Sequence, residues 1–132
     1  MKILLLGEYS AVHKNLKEGL CSLGHDVNFA SNGDGWKKIP RDIDIDYSNK
    51  IIPKFLADRI YPWIDIKKFL DYDVVQIMSA DTIYKKYFFN KLFFKILKKK
   101  NKKIFLLASG GDAFYWSYGR SRLKYGPFED VL

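Results

Sequence analysis

The first thirty-one residues, MKILLLGEYSAVHKNLKEGLCSLGHDVNFAS, constrain the fold more than any other stretch. They read as a strand, a loop, a helix and a second strand in immediate succession. Residues 3–6 are an unbroken apolar run, the pattern of a strand covered on both faces. The strand is expected over residues 2–6, and Gly7 ends it. Val12, Leu16, Leu20 and Leu23 fall at i, i+4, i+8 and i+11, one apolar stripe on a helix over residues 11–23. Ser10 is placed to cap that helix and Gly24 to terminate it. A second strand is expected over residues 26–30. Short parallel strands joined through helices leave their carboxyl ends free to bind ligands, so the polar loop after the first strand is the first place to look for a site.

The rest of the chain continues the alternation. Residues 31–35 (SNGDG) carry turn chemistry. Residues 36–53 read as irregular, with one short strand over residues 42–45. Residues 53–70 are expected to be partly helical and interrupted by Pro62, which removes a donor and crowds the preceding turn. A strand follows over 73–78, a long helix over 82–100 and a further buried strand over 103–108. That strand runs into a second glycine-rich loop, SGGDAFYW. Residues 117–132 show no assignable pattern, and no internal repeat is visible. The order predicts an α/β fold, a doubly wound parallel sheet in a single domain.

Composition narrows the function classes. With 132 residues and 48% hydrophobic residues, the chain has the size and apolar content of one globular domain. Cys21 is the only cysteine, which excludes an internal disulfide and a cysteine-built zinc site; on the first helix it is expected to be a packed thiol. No metal site is expected. No stretch reaches the roughly 18 apolar residues of a membrane span. The amino terminus lacks the pattern of a signal peptide, so the expected compartment is the cytoplasm.

Two loops after strands carry the candidate chemistry. The first holds Gly7, Glu8, Tyr9, Ser10, His13 and Asn15. A dinucleotide fingerprint requires G-x-G-x-x-G here; Gly7 is present, the other two glycines are missing, and Glu8 stands where a pyrophosphate would lie. That disfavours a nicotinamide- or flavin-dependent oxidoreductase. Two readings remain open. Either Gly7 serves a tight turn, or the loop is the polar wall of a cleft with helix N–H groups free for an anion or hydroxyl. His13 is equally open to a structural or a functional role. In the second loop, Gly110 and Gly111 permit close backbone approach. Asp112 is either a helix cap or a general base toward a hydroxyl.

The pattern of Leu20, Gly24, His25, Asp26 and Val27 after a leucine-striped helix resembles the opening of a GT-B glycosyltransferase, most similar to the nucleotide-sugar-dependent family 4. Asp71-Tyr72-Asp73-Val74-Val75 and residues 104–112 fit later strands of the same Rossmann-like domain, so the resemblance covers about residues 1–116. It implies an amino-terminal, acceptor-side domain, half of a GT-B enzyme, facing a donor-binding domain that these 132 residues lack. That second domain would be supplied in cis or in trans. The complete enzyme would move a sugar from a nucleotide-sugar, its co-substrate, to a hydroxyl of a glycan, polysaccharide or lipid-linked acceptor. It needs no other cofactor, and the half alone is expected to be inactive. Gly7, Glu8, Tyr9, Ser10, His13, Asn15, Gly110 and Gly111 would contact substrate. Asp112 stands near the place where many members carry a histidine.

The net charge is +8, and residues 82–111 alone carry +9 from nine lysines without an acid. On a helical wheel Lys91, Lys95, Lys98 and Lys99 share one arc with Tyr84 and Phe88. Phe89, Leu92, Phe93, Ile96 and Leu97, with Tyr87 and Phe94, cover most of the remainder as the expected core face. The lysine arc is either a solvated face or a patch for an anionic membrane surface. The absence of arginine from this segment argues against nucleic acid. A non-catalytic, membrane-docking partner subunit is therefore the alternative to a transferase half.

Overall fold

The computed structural model describes residues 1–79, 82–83, 87–107 and 113–122. It is a Rossmann-like α/β domain built on a five-stranded, all-parallel sheet. The strands are β1 (Lys2–Leu6), β2 (Asp26–Ser31), β3 (Ile43–Asp44), β4 (Val74–Ile77) and β5 (Lys103–Leu106). The helices are α1 (Val12–Ser22), α2 (Lys54–Ile64), α3 (Tyr87–Lys100) and α4 (Ala113–Arg122). The strand order is β3-β2-β1-β4-β5. Leu4 is paired with Asn28 on one side and Val75 on the other.

The apolar run of β1 divides between the two sheet faces because successive side chains alternate. Leu4 and Leu6 join Ala30, Val75 and Ile77 beneath Phe69, Tyr72, Phe93 and Leu97. Ile3 and Leu5 join Val27, Phe29 and Ile39 beneath Leu16 and Leu20. Full burial of one such leucine contributes about 1.5–3 kcal/mol, which makes β1 the keel of the domain. Asn101 closes the floor after α3: its side-chain amide donates to the carbonyls of Phe69 (3.0 Å) and Leu97 (2.9 Å), and its oxygen accepts the Tyr72 N–H (2.9 Å).

Several elements differ from the sequence reading. Helix α1 buries His13 and packs the half-buried Leu16 and Leu20 on the same face, while Val12, Leu23 and Cys21 are exposed. The helix is rotated so that the imidazole, not Val12, faces the sheet. Pro62 does not interrupt α2. It lies in the last turn, where only one backbone bond is forfeited, and Asp65 N–H still reaches the Tyr61 carbonyl at 2.8 Å. A 3₁₀ turn, Ile66–Phe69, then delivers Phe69 to the core. Thr82 and Ile83, expected within the long helix, form a bend. Residues 113–122, the first four of which read from sequence as part of a glycine-rich loop and the rest as patternless, are helical.

The largest departure is β5. Its apolar run predicts burial on both faces, yet Phe105 is 54% exposed, Leu106 55% and Leu107 44%. Among the described residues, the strand lies at the edge of the sheet and pairs with β4 alone.

Candidate functional site

The order of the strands reverses between β1 and β4, and in open parallel sheets that switch point is where a crevice forms. The loop after β1 and the segment after β4 meet there. Gly7 has φ +91°, and its N–H donates to the Ala30 carbonyl at 2.8 Å. A Cβ at this position would stand 2.8 Å from the Met78 Cβ and 2.9 Å from Thr82 Oγ1. Glycine is therefore required twice, by backbone conformation and by space. Thr82 Oγ1 donates to the Ser79 carbonyl at 2.8 Å, holding the facing wall in its own turn.

Glu8 organises the loop. Its Oε1 accepts the N–H groups of Tyr9 (2.6 Å) and His13 (3.2 Å), and its Oε2 accepts that of Lys14 (3.0 Å). The Val12 N–H donates to the Tyr9 carbonyl and the Asn15 N–H to that of Ala11. The N–H groups of Val12, His13 and Lys14, the first three residues of α1, are thus satisfied within the chain, and Asn15 begins the i→i−4 ladder. Of the N–H groups expected to be free for an external anion, those of Val12, His13 and Lys14 are engaged, and a nearly buried carboxylate sits on the positive end of the helix. Ser10 is not the cap either. It adopts φ +52° and offers no side-chain bond to the helix.

His13 is fully buried beneath the loop. Nδ1 lies 2.7 Å from the Gly7 carbonyl and Nε2 lies 3.2 Å from the Gln76 side-chain nitrogen. A carbonyl only accepts and an amide nitrogen only donates, so Nδ1 carries the proton and Nε2 accepts. Burial holds the imidazole below its ordinary pKa of 6.5, outweighing the Gly7 carbonyl and the Glu8 charge, both of which favour the cation. Both nitrogens are engaged, so the ring is a neutral post that ties the β1 loop to β4.

The rim of the β1 loop includes residues that periodicity does not flag. Asp34 Oδ2 accepts the Ser10 N–H at 2.9 Å and Lys37 Nζ at 2.7 Å, and Lys37 Nζ also donates to Ser10 Oγ at 3.2 Å. The Lys37 ammonium, then the Ser10 N–H, hold the Asp34 carboxyl below the usual range. Beside Lys37 stands Trp36, 86% exposed, and Tyr9 is also open to solvent. The SNGDG turn was the available signal: Gly33 N–H bonds Ser31 Oγ and Asp34 N–H bonds Asn32 Oδ1, which aims Asp34 at the loop.

Of the sequence candidates, Gly7, Glu8, Tyr9, Ser10 and His13 come together at the switch point. Asn15 is exposed one turn along α1. Gly110, Gly111 and Asp112 lie outside the described residues, as do Tyr84 and the Phe88 side chain. Lys91, Lys95, Lys98 and Lys99 are all exposed on α3. Leu92, expected on the core face, is exposed among them. Among the described residues, no group of three or more His, Cys, Asp or Glu is arranged to hold a metal, and no helix is long and apolar enough to cross a membrane.

These features define a class, the Rossmann-like α/β domain. No protein-family model, curated protein or solved structure matches the chain.

Proposed function

We propose that this domain is the acceptor side of a GT-B glycosyltransferase, binding a hydroxylated acceptor at the switch point while a separate domain holds the nucleotide-sugar. The observation that carries the reading is the Glu8 carboxylate on the amino terminus of α1. A phosphate approaching that helix end meets a fixed negative charge in place of free N–H donors. A neutral polyol does not pay that repulsion. The exposed ring of Tyr9, Trp36, the Ser10 hydroxyl and the Asp34–Lys37 pair offer the stacking faces, acceptors and donors that sugar hydroxyls use. The parallel sheet and the Gly7 turn are compatible with this reading, and with other Rossmann-like functions.

The test is a backbone-amide NMR titration of the 132-residue chain with maltotriose, cellotriose, chitotriose and uridine diphosphate glucose. At least one oligosaccharide should shift the Tyr9, Ser10, Asp34 and Lys37 amides at millimolar concentration. The nucleotide-sugar should not shift them more strongly. Tight nucleotide-sugar binding at this loop, or sugar transfer by the chain alone at enzyme-like rates, contradicts the assignment.

A second reading is favoured by α3. Lys91, Lys95, Lys98 and Lys99 make no ion pair among the described residues, and Leu92 is exposed between them. Such a face suits an anionic bilayer, at about 1 kcal/mol per lysine near the surface. Phosphatidylglycerol vesicles should bind the chain at low salt and release it at high salt. Replacement of the four lysines by glutamine should abolish binding, and retention of binding by that variant excludes this face.

A further inference from the structure

We infer that the outer edge of β5 is a docking site for an extended peptide segment of a partner, apolar in its middle and acidic at its flank. Lys103 N–H donates to the Asp73 carbonyl and Leu107 N–H to the Ile77 carbonyl. Strand alternation therefore turns the N–H and C=O groups of Ile104 and Leu106 away from β4. No described strand pairs with that edge. Soluble proteins normally blunt such an edge with charge, proline or a covering element; here it carries Phe105, Leu106 and Leu107, all exposed.

The side chains on the two faces prepare different surfaces. On the α3 side, Ile77, Phe94, Ile104 and Leu106 line an apolar groove of about 470 Å³ bordered by Lys98 and Lys102. By alternation, Phe105 is directed to the opposite face. An incoming strand satisfies the edge groups and covers both faces at once, which an acyl chain or a helix cannot do.

Charge selects the partner. Lys102 is paired with Asp73, but Lys98 and Lys103 make no ion pair among the described residues. A second copy, with its net charge of +8, would bring the same lysines to the contact. An acidic flank complements them.

The probe is an acetylated peptide with a Val-Ile-Val-Ile centre and two glutamates at each end, added to the full chain and followed by amide hydrogen exchange. The Ile104 and Leu106 amides should exchange freely without peptide and at least tenfold more slowly when saturated. A lysine-flanked peptide should bind at least tenfold more weakly. Leu106→Pro removes one outward donor that pairing to β4 does not use and should abolish binding; Lys98→Glu should weaken it several-fold and leave the circular dichroism unchanged. The proposal is overturned if these two amides are already protected in dilute chain, or if protection instead grows with protein concentration as a dimer forms. It is equally overturned if both peptides bind alike or neither binds at millimolar concentration. None of these outcomes bears on sugar binding at the β1 loop, so the two readings fail separately.

Discussion

Gly7 and His13 show how much one position can decide. At Gly7 an added Cβ meets both a left-handed backbone and the Met78 Cβ. Gly7→Ala should lower unfolding free energy by about 1–3 kcal/mol, measured by urea titration. His13 predicts a pH dependence with a definite sign. Its folded pKa lies below the ordinary 6.5, so the unfolded chain takes up a proton that the folded chain resists. The associated stability is fully present above about pH 6.5 and is lost as pH falls from there toward the folded value. Unfolding midpoints should drop over that window, and His13→Gln should flatten the slope whatever its effect on the absolute midpoint. Neither role was fully legible from sequence. The apolar neighbours of Gly7 announced a turn, but Thr82 comes from seventy-five positions downstream. His13 looked polar, and only its pairing with Gly7 and Gln76 lets it replace Val12 on the buried face.

At the level of the elements, α1 illustrates a division between what pattern encodes and what it does not. Its end was readable: Gly24 takes φ +80°, its N–H bonds the Cys21 carbonyl, and His25 N–H bonds that of Leu20, which is a Schellman termination. Its beginning was not, because the cap comes from Glu8, before the serine that the usual rule selects. Glu8→Ala should cost about 0.5–2 kcal/mol, the range for loss of a helix cap, and Ser10→Ala much less; paired thermal denaturation curves check the ranking. The strand β5 failed in the opposite way. An apolar run reports that both faces are hydrophobic, and says nothing of whether a neighbour is present to cover them.

Across the whole molecule, the parallel direction of the sheet followed from the β-α alternation, whereas the strand order β3-β2-β1-β4-β5 came only with the structure. The rim around Ser10, Asp34 and Lys37 did not follow, because it joins two loops twenty-four residues apart through side-chain bonds. The same arrangement imposes a timetable on synthesis. The edge of β1 that faces β4 must wait for residues 74–77. At about 5–20 residues per second, that interval is roughly 4–14 s. Throughout it the nascent chain offers an apolar segment paired on one side at most. Ribosome-bound chains arrested shortly after residue 60 should therefore recruit a hydrophobic-segment chaperone more strongly than chains carrying β4 clear of the exit tunnel, as crosslinking to such a chaperone would report.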